Sequence, residues 1–233
     1  MRVNHQARAA QAQQRRARTR ERLLDAAERV VAEKGVENAS IDEFVAAAGV
    51  SRGTFYNYFP TASDLVNALN VRVAAHVDDV LDRLPRQNRT PAALLALIVH
   101  TVLAAYLADP VRGWVALQIA SSRAPRVRAF EDRFVALYAD GVRLGQFRPA
   151  DLAAARTVAF GSMRMIQGDV VAGTASATQA VEVVALVLAG FGLPYEEALE
   201  ISHYEAAVAR GNRGALGLAS CRNADSVVRR GRD

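Results

Sequence analysis

Between Ser51 and Tyr58 the chain reads Ser-Arg-Gly-Thr-Phe-Tyr-Asn-Tyr. Apart from Phe55, this run offers Ser51, Arg52, Gly53, Thr54, Tyr56, Asn57 and Tyr58, a set of hydrogen-bond donors without a single acid. Hydroxyls and phenols donate to phosphate oxygens, and Arg and Asn side chains match the edges of bases in a duplex groove. The fork of Arg52 suits a guanine edge and a phosphate equally well. A merely solvated helix face would carry Glu and Lys here, so this one reads as an interaction surface for a polyanion.

The neighbouring sequence supplies the elements that would hold such a face outward. From Thr19, Leu23, Leu24, Ala27, Val30 and Val31 recur at helical spacing, and Gly35 ends the run. Ser40-Ile41-Asp42-Glu43 is a capping box that opens a second helix, with Ile41, Phe44 and Ala48 on one side. Gly49 breaks it, Ser51 caps a third helix, and Phe55 and Phe59 point inward at i, i+4 before Pro60. A second box, Thr61 to Asp64, starts a long helix that runs to Leu84. Two short helices about a glycine turn, backed by aromatic residues, make a helix-turn-helix.

This segment resembles the TetR family of regulators. The resemblance covers about Thr19 to Leu69 and rests on Ser40-Ile41-Asp42-Glu43-Phe44 followed by Ala47 through Pro60. It implies a homodimer with a three-helix DNA-binding domain and a variable helical ligand domain. Carried over position by position, it implies a phosphate-binding cap at Ser40, base reading at Arg52 and Gly53, and phosphate contacts from Thr54, Tyr56 and Tyr58. Asn57 falls where the family varies and can face a base. Ala62 stands where the family often has a lysine. A phosphate contact is lost there, and the Arg-rich N-terminus, with Arg15, Arg16, Arg18 and Arg20, is expected to replace it.

The remaining chain reads helix upon helix, with no period-two stretch long enough for a strand. The expected fold is all-α, divided into a flexible basic arm (1–18), a DNA-binding domain (19–64), a ligand-binding and dimerisation domain (65–210) and a disordered basic tail (211–233). His100, Tyr106, Trp114, Gln118, Phe130, Phe134, Phe160, Met163 and Gln167 are the residues expected to line a small-molecule pocket, being apolar groups with a few polar ones. His100, on an apolar helix, reads more readily as a satisfied core histidine. Gly161 and Gly168, seven residues apart, with Val184 and Leu188 in the next apolar helix, mark the expected dimer interface.

Composition narrows the function classes. The 233 residues carry a net charge of +5, with Lys34 the only lysine and no acid before Glu21. One cysteine, Cys221, rules out an internal disulfide and fits a reducing cytoplasm. The polar N-terminus is not a signal peptide, and no apolar run is expected to reach the ~18–20 residues of a membrane span. Hydrolase, zinc-peptidase, P-loop and dinucleotide motifs are absent, so neither an enzyme nor a cofactor is expected. The expected partners are operator DNA, a second copy of the chain and a small effector that releases a repressor from its near-palindromic operator. A helical DNA-binding dimer without a ligand is the alternative, with an enzyme as the remoter one.

Overall fold

The computed structural model describes residues 2–121 and 128–212, and among them it contains ten α-helices and no strand. The first, α1 (Arg2–Lys34), changes character along its length. Its second half buries Leu23, Leu24, Ala26, Ala27, Val30 and Val31, whereas residues 7–18 bury nothing. The expectation of a flexible arm over 1–18 is therefore corrected, because α1 begins at Arg2. Arg, Gln and Ala are strong helix formers, and lacking an apolar stripe they lack a core to pack on rather than a reason to be helical.

Helix α2 (Ile41–Ala48) carries the full capping box between Ser40 and Glu43 and ends at Gly49, whose φ of 62° favours a residue without Cβ. Helix α3 (Arg52–Tyr56) is capped by Ser51. A reciprocal pair between Thr61 and Asp64 opens α4 (Ala62–Asp82). Phe44 and Phe55 are wholly buried beneath these helices with Leu65 and Leu69. Burying each such side chain stabilises the unit by roughly 1.5–3 kcal/mol.

The chain forms two compact units. The first runs to Arg72 and includes the end of α6 (Pro110–Ser121) from Gln118. The second holds Val73–Leu117 and the chain from Arg126. The boundary thus falls inside unbroken α4, eight residues beyond the expected one, and Gln118 is separated from the other expected pocket residues.

In the second unit α5 (Pro91–Ala108) is the central helix. It is long and apolar enough to cross a membrane by length and composition, which corrects the sequence expectation. Two thirds of it is buried against the protein itself. Around it lie α7 (Arg128–Arg143), α8 (Leu152–Val171), α9 (Ala177–Gly190) and α10 (Tyr195–Gly211). One cluster joins Phe134, Tyr138, Phe147, Phe160 and Phe191 in edge and stacked contacts. A second joins Val80, Leu81, Leu97 and Tyr106 with Met163 at its margin.

Polar links also cross this interior. Ser202 donates to the Val181 carbonyl, so its oxygen accepts from His100 Nε2 at 2.9 Å. Arg89 and Glu205 form an ion pair at 3.1 Å with little exposure. Val184 and Leu188 belong to this core, at 3% and 0% exposure, which corrects their expected place in a dimer interface. An apolar run on α9 does not reveal which of its sides faces inward.

Candidate nucleic-acid interface

Helix α3 is only five residues long, so its placement depends on what lies beneath and beside it. Phe55 and Phe59 fill the core at 0% and 4% exposure and pack ring to ring. With these two fixed, Ser51, Arg52, Gly53, Tyr56 and Asn57 are left exposed, and Thr54 and Tyr58 half-buried. The turn before α3 is held from α1: Arg22 donates to the Ala48 carbonyl at 2.7 Å and Arg29 to that of Ala47 at 3.1 Å. These cations satisfy the last carbonyls of α2 and complement its dipole. Their spacing of seven on α1 was the available sequence signal for this role, and the motif reading overlooked it.

The outer face is not free of acids in space, although it is in sequence. Asp42 of α2 lies beside Arg52, accepting from Nε at 2.6 Å and from Nη2 at 2.7 Å. Both side chains are exposed, and the pairing raises the pKa of Arg52 above its ordinary value. The carboxylate occupies one edge of the guanidinium. Nη1 and the second Nη2 hydrogen remain as a pair, the end edge that fits O6 and N7 of guanine.

Ser51 and Thr54 are coupled through their hydroxyls at 2.9 Å, and the Thr54 amide donates to Ser51 Oγ. One hydroxyl hydrogen of this pair stays available for an outside acceptor. Ser40 is more committed, since its amide and hydroxyl both donate to Glu43. Glu43 in turn accepts from Lys34, and the hydrogen bonds from Lys34 and Ser40 hold its carboxyl at a pKa of about 2. A phosphate contact from the Ser40 hydroxyl therefore requires its bond to Glu43 to open.

Gly53 has a different significance. A Cβ there would meet only Ser51 Oγ, at 3.9 Å, so the fold itself leaves room for a side chain. A helical glycine in open space leaves the backbone bare to close approach from outside the chain. Arg18 is exposed, and Arg20 lies over the Phe59 ring at 5.6 Å and near Glu21. Ala62 offers no donor.

Residues 23–69 match the family described as bacterial regulatory proteins, tetR family. Over this segment the chain is similar to the tetR family. The uncharacterised HTH-type transcriptional regulator YvdT of Bacillus subtilis is 40% identical over 84 residues, which are 36% of this chain and 43% of that protein. The HTH-type transcriptional repressor LfrR of Mycolicibacterium smegmatis is 43% identical over 65 residues, 28% of this chain and 31% of the repressor. Both matches span less than half of the relative's length. Across the whole fold, RolR in complex with resorcinol is similar at a TM-score of 0.59 and 28% identity, over 81% of this chain and 95% of RolR. A TetR family transcription regulator from Marinobacter aquaeolei is similar at a TM-score of 0.61 and 20% identity, over 81% and 97% of the two chains, and at that identity it shows the fold alone.

The helix-turn-helix leaves most of its expected residues at the surface, whereas the expected pocket residues are scattered. His100 is tied to Ser202. Burial, with some repulsion from Arg210 and His203, lowers its pKa to about 4 and keeps it neutral. Phe134 and Phe160 pack in the aromatic cluster, Trp114 is half-buried on α6, and Gln118 lies against Gly35 in the first unit. The side chain of Phe130 lies outside the described residues, as do Arg123, Arg126 and Cys221. Tyr106 and Gln167 do come together: Gln167 is hydrogen-bonded to the phenol, whose pKa burial pushes up to about 12. On the same helix as Tyr106, the buried Thr101 Oγ1 has no hydrogen-bond partner among the described residues, and the sequence reading did not single it out.

Proposed function

We propose that this chain is a DNA-binding transcription regulator, a repressor that grips a near-palindromic operator as a homodimer and is released by a small molecule. One observation carries the reading: the outer face of α3 is exposed, carries no acid of its own and has its arginine pre-oriented by Asp42. Arg52 would present its end edge to a base. Tyr56, Asn57 and the Ser51–Thr54 hydroxyl pair would contact the adjacent backbone and bases, and Gly53 would allow the helix to lie close in the groove.

A single helix-turn-helix makes few contacts, so two reading heads are needed for useful affinity. Support for pairing comes from α8 and α9, where Val158, Met165 and Leu186 are exposed at 47%, 69% and 60% around Gly161. Large apolar side chains clustered at a helix pair favour a second copy of the same surface. Gly168 does not line this groove. The effector would be taken up in the second unit, where the Thr101 hydroxyl, without a partner among the described residues, supports a polar contact. Continuous α4 would link the two functions.

Electrophoretic mobility and fluorescence anisotropy of the purified chain on fragments of its own genome test the reading. A subset of fragments should bind at least about 1000-fold more tightly than random duplex, as a dimer on each site. Equal affinity for every duplex would refute sequence-specific regulation. Thermal unfolding against a metabolite panel, repeated with operator DNA, tests the effector: a stabilising compound should weaken DNA binding.

A further inference from the structure

Along the exposed half of α1, Arg8, Gln11, Ala12, Arg15, Arg16 and Thr19 line one groove. Their spacing, i, i+3, i+4, i+7, i+8 and i+11, is that of a single helix side. Such a stripe is normally the apolar one that a helix buries. Here it is basic, and the opposite wall of the groove is formed by Thr54, Asn57 and Tyr58 of the recognition segment. The groove has a volume of about 720 Å³, and Arg16 lies over the Tyr58 ring at 5.8 Å, tying the two walls together.

Residues 1–20 contain no acid, and among the described residues no carboxylate pairs with Arg8, Arg15 or Arg16. Arg16 and Arg20 stand at i, i+4 as like charges, which weakens an isolated helix by a few tenths of a kcal/mol. Arg8, Arg15 and Arg16 therefore carry positive charge with no carboxylate partner among the described residues.

We propose that this groove seats the phosphodiester backbone of one strand of duplex DNA, flanking the bases read by α3. The hydroxyls of Thr54 and Tyr58 would hold the strand from one side and Arg8, Arg15 and Arg16 from the other. Arg8 and Arg16 are about 12 Å apart along the helix axis, far enough to reach more than one phosphate of a strand. A membrane surface suits the stripe less well, because an interfacial helix needs large apolar residues on its other face, and residues 7–18 offer only alanine. The inference rests on the operator reading and adds a second, sequence-independent grip. It also selects Arg15 and Arg16 over Arg18, which does not line the groove.

The test compares the full chain with its Arg8→Gln, Arg15→Gln, Arg16→Gln triple variant on a short duplex of random sequence across a range of salt. Loss of three phosphate contacts should reduce the slope of log Kobs against log salt by about 2.7. The corresponding triple Lys variant should retain the slope, and the bases preferred in a pool selection should not change. These side chains are exposed, and unfolding temperatures without DNA check that the Gln variant still folds. A photo-crosslinker at Gln11 in the otherwise native chain reads the same contact independently and should attach to DNA. An unchanged slope together with no crosslink overturns the groove proposal while leaving the operator reading intact. Failure of the native chain to bind any duplex overturns the operator reading itself. Loss of binding to acidic vesicles without a change in DNA slope would assign the stripe to a membrane and likewise overturn the proposal.

Discussion

The outer face of α3 and the outer face of the α8–α9 pair are both exposed, and they are built of opposite materials. The first presents Arg52, Tyr56 and Asn57, with the arginine held by Asp42 and the backbone bare at Gly53. The second presents Val158, Met165 and Leu186 around Gly161. A polar face with oriented donors gains little from a random apolar neighbour and much from a ladder of phosphates and base edges. An apolar face gains from being covered. In the proposed regulator the two faces divide the work, one selecting a partner molecule and one bringing a second reading head.

The comparison can be broken most severely at the apolar face. Leu186→Arg places a charge on the surface proposed to be covered, and sedimentation should show a monomer. Its affinity for the operator should then fall by about three orders of magnitude, toward the non-specific level. A variant that remains dimeric would remove α9 from the interface.

Acid should find the second unit through its interior. His100 is neutral when folded, with a pKa lowered to about 4, against about 6.5 when unfolded. Below pH 6.5 the unfolded chain binds a proton that the folded one refuses. Stability present above about pH 6.5 is therefore lost as pH falls toward 4, by up to about 3 kcal/mol. Chemical denaturation at several pH values should show this decline, and His100→Gln should flatten it. An equal decline in both proteins would locate the acid sensitivity elsewhere.

The polar face allows two finer tests. Arg52→Ala should cost about 1–3 kcal/mol on the operator. Asp42→Ala should lose part of the same discrimination while binding random duplex at least as tightly, since a carboxylate near phosphate is removed. If Asp42→Ala instead tightened the operator without loss of specificity, Asp42 would be an inhibitor of Arg52 rather than its support. The smallest effect concerns Gly53→Ala, which should stabilise the free protein by about 0.5–1 kcal/mol and yet weaken DNA binding.

How far the sequence revealed each face follows from the range of the interactions that build it. The Ser40–Glu43 box, the turn at Gly49 and the inward pair Phe55 and Phe59 are local, and all were readable from spacing. Asp42 reaches Arg52 across that turn, ten residues away, so a reading of α3 alone took its face as free of acids. In α9, Val184 and Leu188 differ from Leu186 only in direction, and a helix apolar on most sides does not reveal which direction is inward. The same difficulty scattered the expected pocket, because core and pocket draw on the same residue types. Residues 1–18 erred the opposite way: their composition favours a helix, but without an apolar stripe it read as an arm.

The central claim is that α3 reads DNA through an oriented Arg52. Selection of bound sequences from a random duplex pool, run in parallel with the native chain and Arg52→Ala, tests it most directly. The native chain should enrich a two-fold symmetric motif, and the variant should lose preference at one base pair in each half while keeping the remainder. No enrichment by the native chain, or the same motif from both proteins, would contradict the account.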